Sequence, residues 1–181
     1  MTTKNLKKEF SHNITKHGII SGFYFNYIIK NIFELILTNK KVRILDFGCG
    51  YGYLKKKLKK NINIKIINFD IIKELTEIND WKKVDFDYLV STHVFMYLGP
   101  KKLNKLLFDL KRHNKKLKLI TTISRQGLLN SIGKFILNEP NAHKGTLLNY
   151  NNELKLLKKK MRVIKKKNIL FLSDIYLLEF L

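Results

Sequence analysis

The sequence predicts an α/β fold, a mostly parallel sheet with helices on both faces and an antiparallel hairpin at its carboxy-terminal end. Three observations carry this reading. Short apolar runs alternate with helical periods from Val42 to Lys160, the pattern of strand–helix–strand units and hence of parallel pairing. A glycine-rich turn, Gly48-Cys49-Gly50-Tyr51-Gly52, follows the first of these runs directly. From Met161 onward two β-type runs succeed each other, broken at Ser173-Asp174, as in a hairpin.

Residues 1–17 are polar and basic without a period and read as a lead-in. Ile19 to Leu37 is helical and aromatic-rich, and its Phe23-Tyr24-Phe25-Asn26-Tyr27 stretch has two readings. It is either a lid over an apolar acceptor or, the favoured reading, a stripe whose phenylalanines bury the helix on the sheet. Residues 1–40 are thus expected as a helical lead-in or lid, and residues 41–181 as the main domain. Val42–Phe47 is a buried strand, followed after the glycines by a basic helix with Tyr51, Leu54 and Leu58 on one side. Ile62–Phe69 is the second strand, ending at Asp70, and Ile71–Ile78 a brief helix. Phe86–Ser91 is the third strand. Pro100 suits the first turn of the next helix, where Leu103, Leu106, Leu107 and Leu110 recur at helical spacing. Leu117–Ser124 is a further strand, Gln126–Leu137 a helix, Asn138–Thr146 a loop and Asn151–Lys160 a helix.

Composition narrows the function classes. A chain of 181 residues, 45% of them apolar, is one domain with enough core to fold without staples. The lone Cys49 excludes an internal disulfide framework and a cysteine-rich zinc site. His12 and His17 show no metal-ligand spacing, so no metal is expected. The amino terminus lacks a secretory apolar run and no span-length apolar stretch occurs, which makes a cytoplasmic protein the expectation. The net charge of +22 invites a polyanionic partner. Yet 32 of the 36 basic residues are Lys, beside 22 Ile, 18 Asn and a single Ala. Lys, Ile and Asn share A/T-rich codons, so base composition accounts for all three excesses together. Nucleic acid as a partner stays open without being favoured, as does peripheral contact with a membrane.

The chemistry sits at strand ends. Asp46-Phe47-Gly48-Cys49-Gly50-Tyr51-Gly52 places three glycines at alternate positions after a buried strand, where the backbone can turn sharply and approach a ligand. The spacing differs from G-x-G-x-x-G. Asp46 can order the loop or face a bound cation. Asp70 closes the second strand, where a carboxylate can accept both hydroxyls of a ribose.

This order of strand, D-x-G-x-G-x-G, helix, strand and terminal Asp resembles the class I S-adenosylmethionine-dependent methyltransferases, from Lys41 to the carboxy terminus. The resemblance implies a Rossmann-like, seven-stranded version of the sheet and S-adenosylmethionine as cofactor. It sets Asp46, Gly48, Cys49, Gly50 and Gly52 around the methionine part, and Asp70 with Ile71 at the ribose. Asp80 and Trp81 would lie at the adenine, and Ser91 and Thr92 near the transferable methyl. Asp87 should seat its strand rather than do chemistry. Ser91-Thr92-His93-Val94 is not the N/D-P-P-aromatic tetrad of exocyclic-amine enzymes, and Cys49 is not placed for pyrimidine C5 attack. Asp87 stands nearly alone, unlike the acid cluster of metal-dependent catechol enzymes. The pattern looks like the small-molecule branch, whose acceptor is a hydroxyl or amine of a small metabolite, lipid or glycan precursor. An RNA or protein acceptor, or a non-catalytic cofactor-binding subunit, are the alternatives. His143, in the Asn138–Thr146 loop ahead of Glu153-Leu154, is similar in position to a Lys-Gly-Thr-His loop of quinone-type O-methyltransferases, although here it precedes Lys144-Gly145-Thr146. It is the expected general base, with His93 lining the cofactor pocket.

Overall fold

The computed structural model describes residues 19–36, 40–125 and 145–181. The apolar runs form the sheet expected of them. β1 (Val42–Phe47) lies between β2 (Ile64–Phe69) and β3 (Tyr88–Thr92), parallel to both, with Ile44 opposite Ile66 and Tyr88. β4 (Lys118–Ser124) runs parallel to β3. β5 (Met161–Ile169) and β6 (Ser173–Phe180) form the antiparallel hairpin, β6 pairing with β4 and β5 taking the edge. The order is β2-β1-β3-β4-β6-β5. Among the described residues the sheet has six strands; the remaining one of the expected seven is not among them.

Alternation along the strands divides the core between two faces. Leu45, Leu89 and Leu119 face one layer, built by α3 (Gly99–His113) and α4 (Tyr150–Lys158). Their chain neighbours Ile44, Val90 and Ile120 face the other, built by α1 (Ile19–Ile36) and α2 (Tyr53–Leu58). α3 forms as its sequence dictates. Pro100 sits in the first turn, the four leucines are buried, and Lys111, Arg112 and His113 meet the negative end of the helix dipole.

Three expectations are corrected. In α1 the buried stripe is Tyr24, Ile28, Ile32 and Ile36, while Phe23 is 73% exposed. A 2.6 Å hydrogen bond between the Tyr24 hydroxyl and the buried Ser173 Oγ fixes the helix in this rotation. No helix forms over 71–78, because side chains and the end of β2 take its backbone donors. Asp70 accepts from Ile72 N–H, Thr76 Oγ1 from Ile78 N–H, and Glu77 N–H is spent on the Asn68 carbonyl. The hairpin turns at Leu170–Leu172, not at Ser173-Asp174, which belong to β6. The expected lead-in over 1–17, the helix over 126–137 and the loop through Lys144, with His143, lie outside the described residues.

Candidate functional site

Parallel pairing brings the ends of β1, β2 and β3 to one edge, and each strand there hands over to an unusual residue. After β1, Gly48, Gly50 and Gly52 all have positive φ (75°, 51° and 67°) and alternate with two residues that do not. The loop is sewn to the end of β2. Gly48 N–H and Cys49 N–H both donate to the Phe69 carbonyl, at 2.8 and 3.1 Å. Gly50 N–H donates to Asp70 Oδ2 at 3.0 Å. Glycine at 48 and 52 is a requirement twice over. Besides the left-handed backbone, a Cβ on Gly48 would stand 2.5 Å from Val94 Cγ2, and one on Gly52 would stand 2.7 Å from Asn68 Nδ2.

Asp70 turns out to be structural at its base. Oδ2 accepts from Gly50 N–H and Oδ1 from Ile72 N–H, which leaves each oxygen a second lone pair. Ile71, next to it, is 76% exposed. Asp46 is buried beneath the loop, and its pKa is pushed up to about 7, first by burial and then by the neighbouring charges of Asp70 and Glu77. Glu77 is a third acid of this corner, bonded to Lys55 Nζ at 2.6 Å and to Asn68 N–H. Burial also raises the pKa of Cys49, whose thiol donates to the Gly50 and Leu75 carbonyls; it is a poor nucleophile.

At the end of β3, Ser91 is wholly buried with no hydrogen-bond partner for Oγ among the described residues, and Thr92 behind it is partly exposed. The hydroxyls of Thr121 and Thr122 on β4, in register with them, likewise have no partner among the described residues. His93 follows with φ 58°, a rare backbone for an L residue. Its N–H donates to the Thr122 carbonyl, and its Nδ1 is 2.9 Å from Ser124 Oγ. Strain of this kind gathers at functional sites.

The structure therefore gathers Asp46, Gly48, Cys49, Gly50, Gly52, Asp70 and Ile71 into one corner, with Ser91, Thr92 and His93 ending the next strand. Asp80 and Trp81 behave differently. Asp80 caps a short 3-10 turn, Trp81–Lys83, by accepting from Lys82 N–H. Trp81 is core, edge-on to Phe86 and to His113 at the last turn of α3. Asp87 joins strands at the opposite edge, with Oδ2 accepting from Arg43 N–H and its carbonyl from Lys118 N–H. Sequence reasoning missed that Val94 and Asn68 enforce the glycines, since both meet them only through the fold. No group of His, Cys, Asp and Glu among the described residues could hold a metal ion.

The fold recurs in solved proteins. A protein from Pyrococcus horikoshii OT3 superposes with a TM-score of 0.68 at 14% identity, over 96% of this chain and 99% of that one. Magnesium protoporphyrin IX methyltransferase from Synechocystis PCC 6803, solved with bound SAH, gives 0.57 at 9% identity over 99% and 95%. Human N-acetylserotonin methyltransferase in complex with SAM gives 0.57 at 19% identity, covering 76% of this chain and 47% of that one. The fold is that of the class I S-adenosylmethionine-dependent methyltransferases. No family model matches the chain, and no curated protein does. In this fold the glycine loop at the corner between β1 and β2 is packed tightly against Val94 and Asn68, with Asp46, Asp70 and Glu77 around it.

Proposed function

We propose that the chain is an S-adenosylmethionine-dependent methyltransferase acting on a hydroxyl or amine of a small metabolite, lipid or glycan precursor. The observation that carries the reading is the glycine loop locked to the carboxyl end of β2 through Asp70, in a sheet of the methyltransferase fold. The residues present fit the cofactor. Gly48, Gly50 and Gly52 offer bare backbone, Asp70 keeps lone pairs for ribose hydroxyls, and exposed Ile71 offers apolar contact beside it. Asp46, once ionised, supplies a countercharge to a cation.

When bound, the cofactor would supply a methyl already activated by its sulfonium charge. The protein's own task is then alignment of the acceptor, since holding two reactants in line removes most of the entropic barrier. The carboxyl ends of β3 and β4, with Thr92 and the His93–Ser124 pair, are the surfaces against which an acceptor would rest. For a hydroxyl acceptor, His143 is the proposed base that takes the proton as attack proceeds.

Calorimetry with S-adenosylmethionine and its demethylated product tests the reading. Wild type should bind with a Kd in the micromolar range, about −8 kcal/mol. Asp70→Ala should weaken binding by roughly 1–3 kcal/mol, through lost ribose contacts and a loosened Gly50. Folded wild type that binds neither ligand would end the proposal.

A further inference from the structure

The β5–β6 hairpin closes in a way its composition makes surprising. Leu172 N–H donates to the Ile169 carbonyl at 2.9 Å, and the two residues between, Leu170 and Phe171, have φ of 48° and 60°. Positive φ at both central positions is the signature of a type I′ turn, which strongly prefers Asn-Gly. Large side chains resist this backbone. Scarcity of better residues is no explanation, since 18 of the 181 residues are Asn. Nor do the side chains repay the strain by burial, for Leu170 is 51% exposed and Phe171 66%. Strained backbone and exposed apolar surface coincide at two adjacent residues.

A third apolar side chain stands nearby. The Tyr24–Ser173 hydrogen bond ties the first turns of α1 to the start of β6, which brings Phe23 to the same end of the hairpin. Pairing of Ser124 with Ser173 puts this tip on the carboxyl edge, the edge that carries the glycine loop. The stem is basic. From Lys158 to Phe171 the chain has seven Lys and Arg and no acid. Acids elsewhere pair with Arg162, Lys166 and Lys167, while Lys165, nearest the tip of the others, makes no ion pair within 4 Å among the described residues and meets Glu34 only at longer range. An apolar tip over a cationic stem on a strongly basic molecule is complementary to one kind of surface, an anionic lipid bilayer.

We propose that Leu170 and Phe171, with Phe23 beside them, insert into the interface of an anionic membrane while Lys165 and the net positive charge of the molecule hold it to the headgroups. Docked this way, the carboxyl edge faces lipid. The docking itself does not depend on the methyltransferase reading, and cofactor calorimetry scores that reading separately.

The test is co-sedimentation with vesicles of equal phosphatidylglycerol and phosphatidylcholine against phosphatidylcholine alone, in about 0.1 M salt. The decisive variant is Leu170→Asn with Phe171→Gly, which supplies the residues the turn prefers. It should melt about 3–6 °C above wild type, so loss of binding cannot be ascribed to unfolding. Wild type should sediment with the anionic vesicles only, and the variant at least about tenfold less, with its residual binding abolished at 0.5 M salt. Equal binding by the two proteins overturns the proposal, as does a wild type that ignores anionic vesicles. A wild-type dimer that the variant dissociates, without vesicle binding, would assign the tip to a second copy of the chain instead and equally overturn it.

Discussion

Glu153 and Asp46 are carboxyl groups whose charged forms folding disfavours, and Asp174 is one whose charge it stabilises. Glu153 is 2% exposed, and burial pushes its pKa up to about 8. For Asp46 the figure is about 7. Burial pushes Asp174 upward too, but donation from Arg125, Tyr150 and Lys166 outweighs it and holds the group below the usual range. The signs follow from proton linkage. A raised carboxyl contributes stability in full below its unfolded pKa, and loses it as pH rises through the folded one. Asp174, depressed, contributes above its unfolded pKa and loses that contribution as acid titrates the folded state. Stability should therefore peak near pH 5 and decline toward pH 8. Glu153→Gln should flatten the decline and be more stable than wild type at pH 8.5 by roughly 4–5 kcal/mol, at about 1.4 kcal/mol for each pH unit between the ordinary value of 4.5 and the folded one of about 8. Urea titrations across pH 4.5–8.5 check this; an unchanged slope in the variant would mean that Glu153 titrates normally. Asp46 was legible in the sequence because its place before the glycines has a meaning. Glu153 was visible only as a helix acid, since nothing in Asn152-Glu153-Leu154-Lys155 says which side faces the sheet.

The elements read correctly were those in which local and tertiary demands agree. α3 has its proline, its leucine period and its terminal bases, and the glycine loop follows its strand without a gap. The buried face of α1 and the hairpin turn were misread because the deciding partners, Ser173 for Tyr24 and Arg125 for Asp174, are distant in sequence. Ser173-Asp174 has the composition of a turn, yet Asp174 is fully buried and takes Arg125 Nε and a guanidinium NH2 at 3.0 and 2.8 Å, Tyr150 OH at 2.6 Å, and Asn168 Nδ2 at 3.2 Å. Lys166 Nζ lies 3.1 Å from the same carboxylate, and Tyr150 in turn accepts a 2.5 Å bond from the Tyr176 hydroxyl. One carboxylate thus ties the end of β4, the start of α4 and both strands of the hairpin. Its partners lie up to 49 residues away, beyond the reach of any local pattern. Asp174→Asn keeps the shape and removes the charge. It should cost about 3 kcal/mol, the scale of stripping one member from a buried ion pair, and should release the hairpin and α4 together in amide exchange. A loss confined to the turn, or under about 1 kcal/mol, would show that these elements hold without it.

At the scale of the whole molecule the dominant quantity is charge. Thirty-six basic residues face fourteen acids, and lysines crowd even the secondary-structure edges, as Lys165, Lys166 and Lys167 do along the outer strand β5. On an edge strand they discourage pairing with another chain, but the compact state carries the repulsion of them all. Against that stand ion pairs that are mostly exposed, such as Lys55–Glu77 and Arg43–Asp85, each of little net value in water. The buried Arg125–Asp174 pair is screened least by salt. Repulsion spread over the whole surface should therefore outweigh the few attractions that salt also weakens. The Debye length falls from about 14 Å near 0.05 M to about 4 Å near 0.5 M, shorter than most separations between surface lysines. Raising sodium chloride across that range should thus raise the melting temperature by several degrees, against the fall expected of a fold held by surface ion pairs. Potassium chloride should match it, and sodium sulfate should exceed both at equal ionic strength, because sulfate also strengthens apolar burial. A melting temperature that falls with chloride would mean that the lysines are paired in a network tighter than the pairs described here.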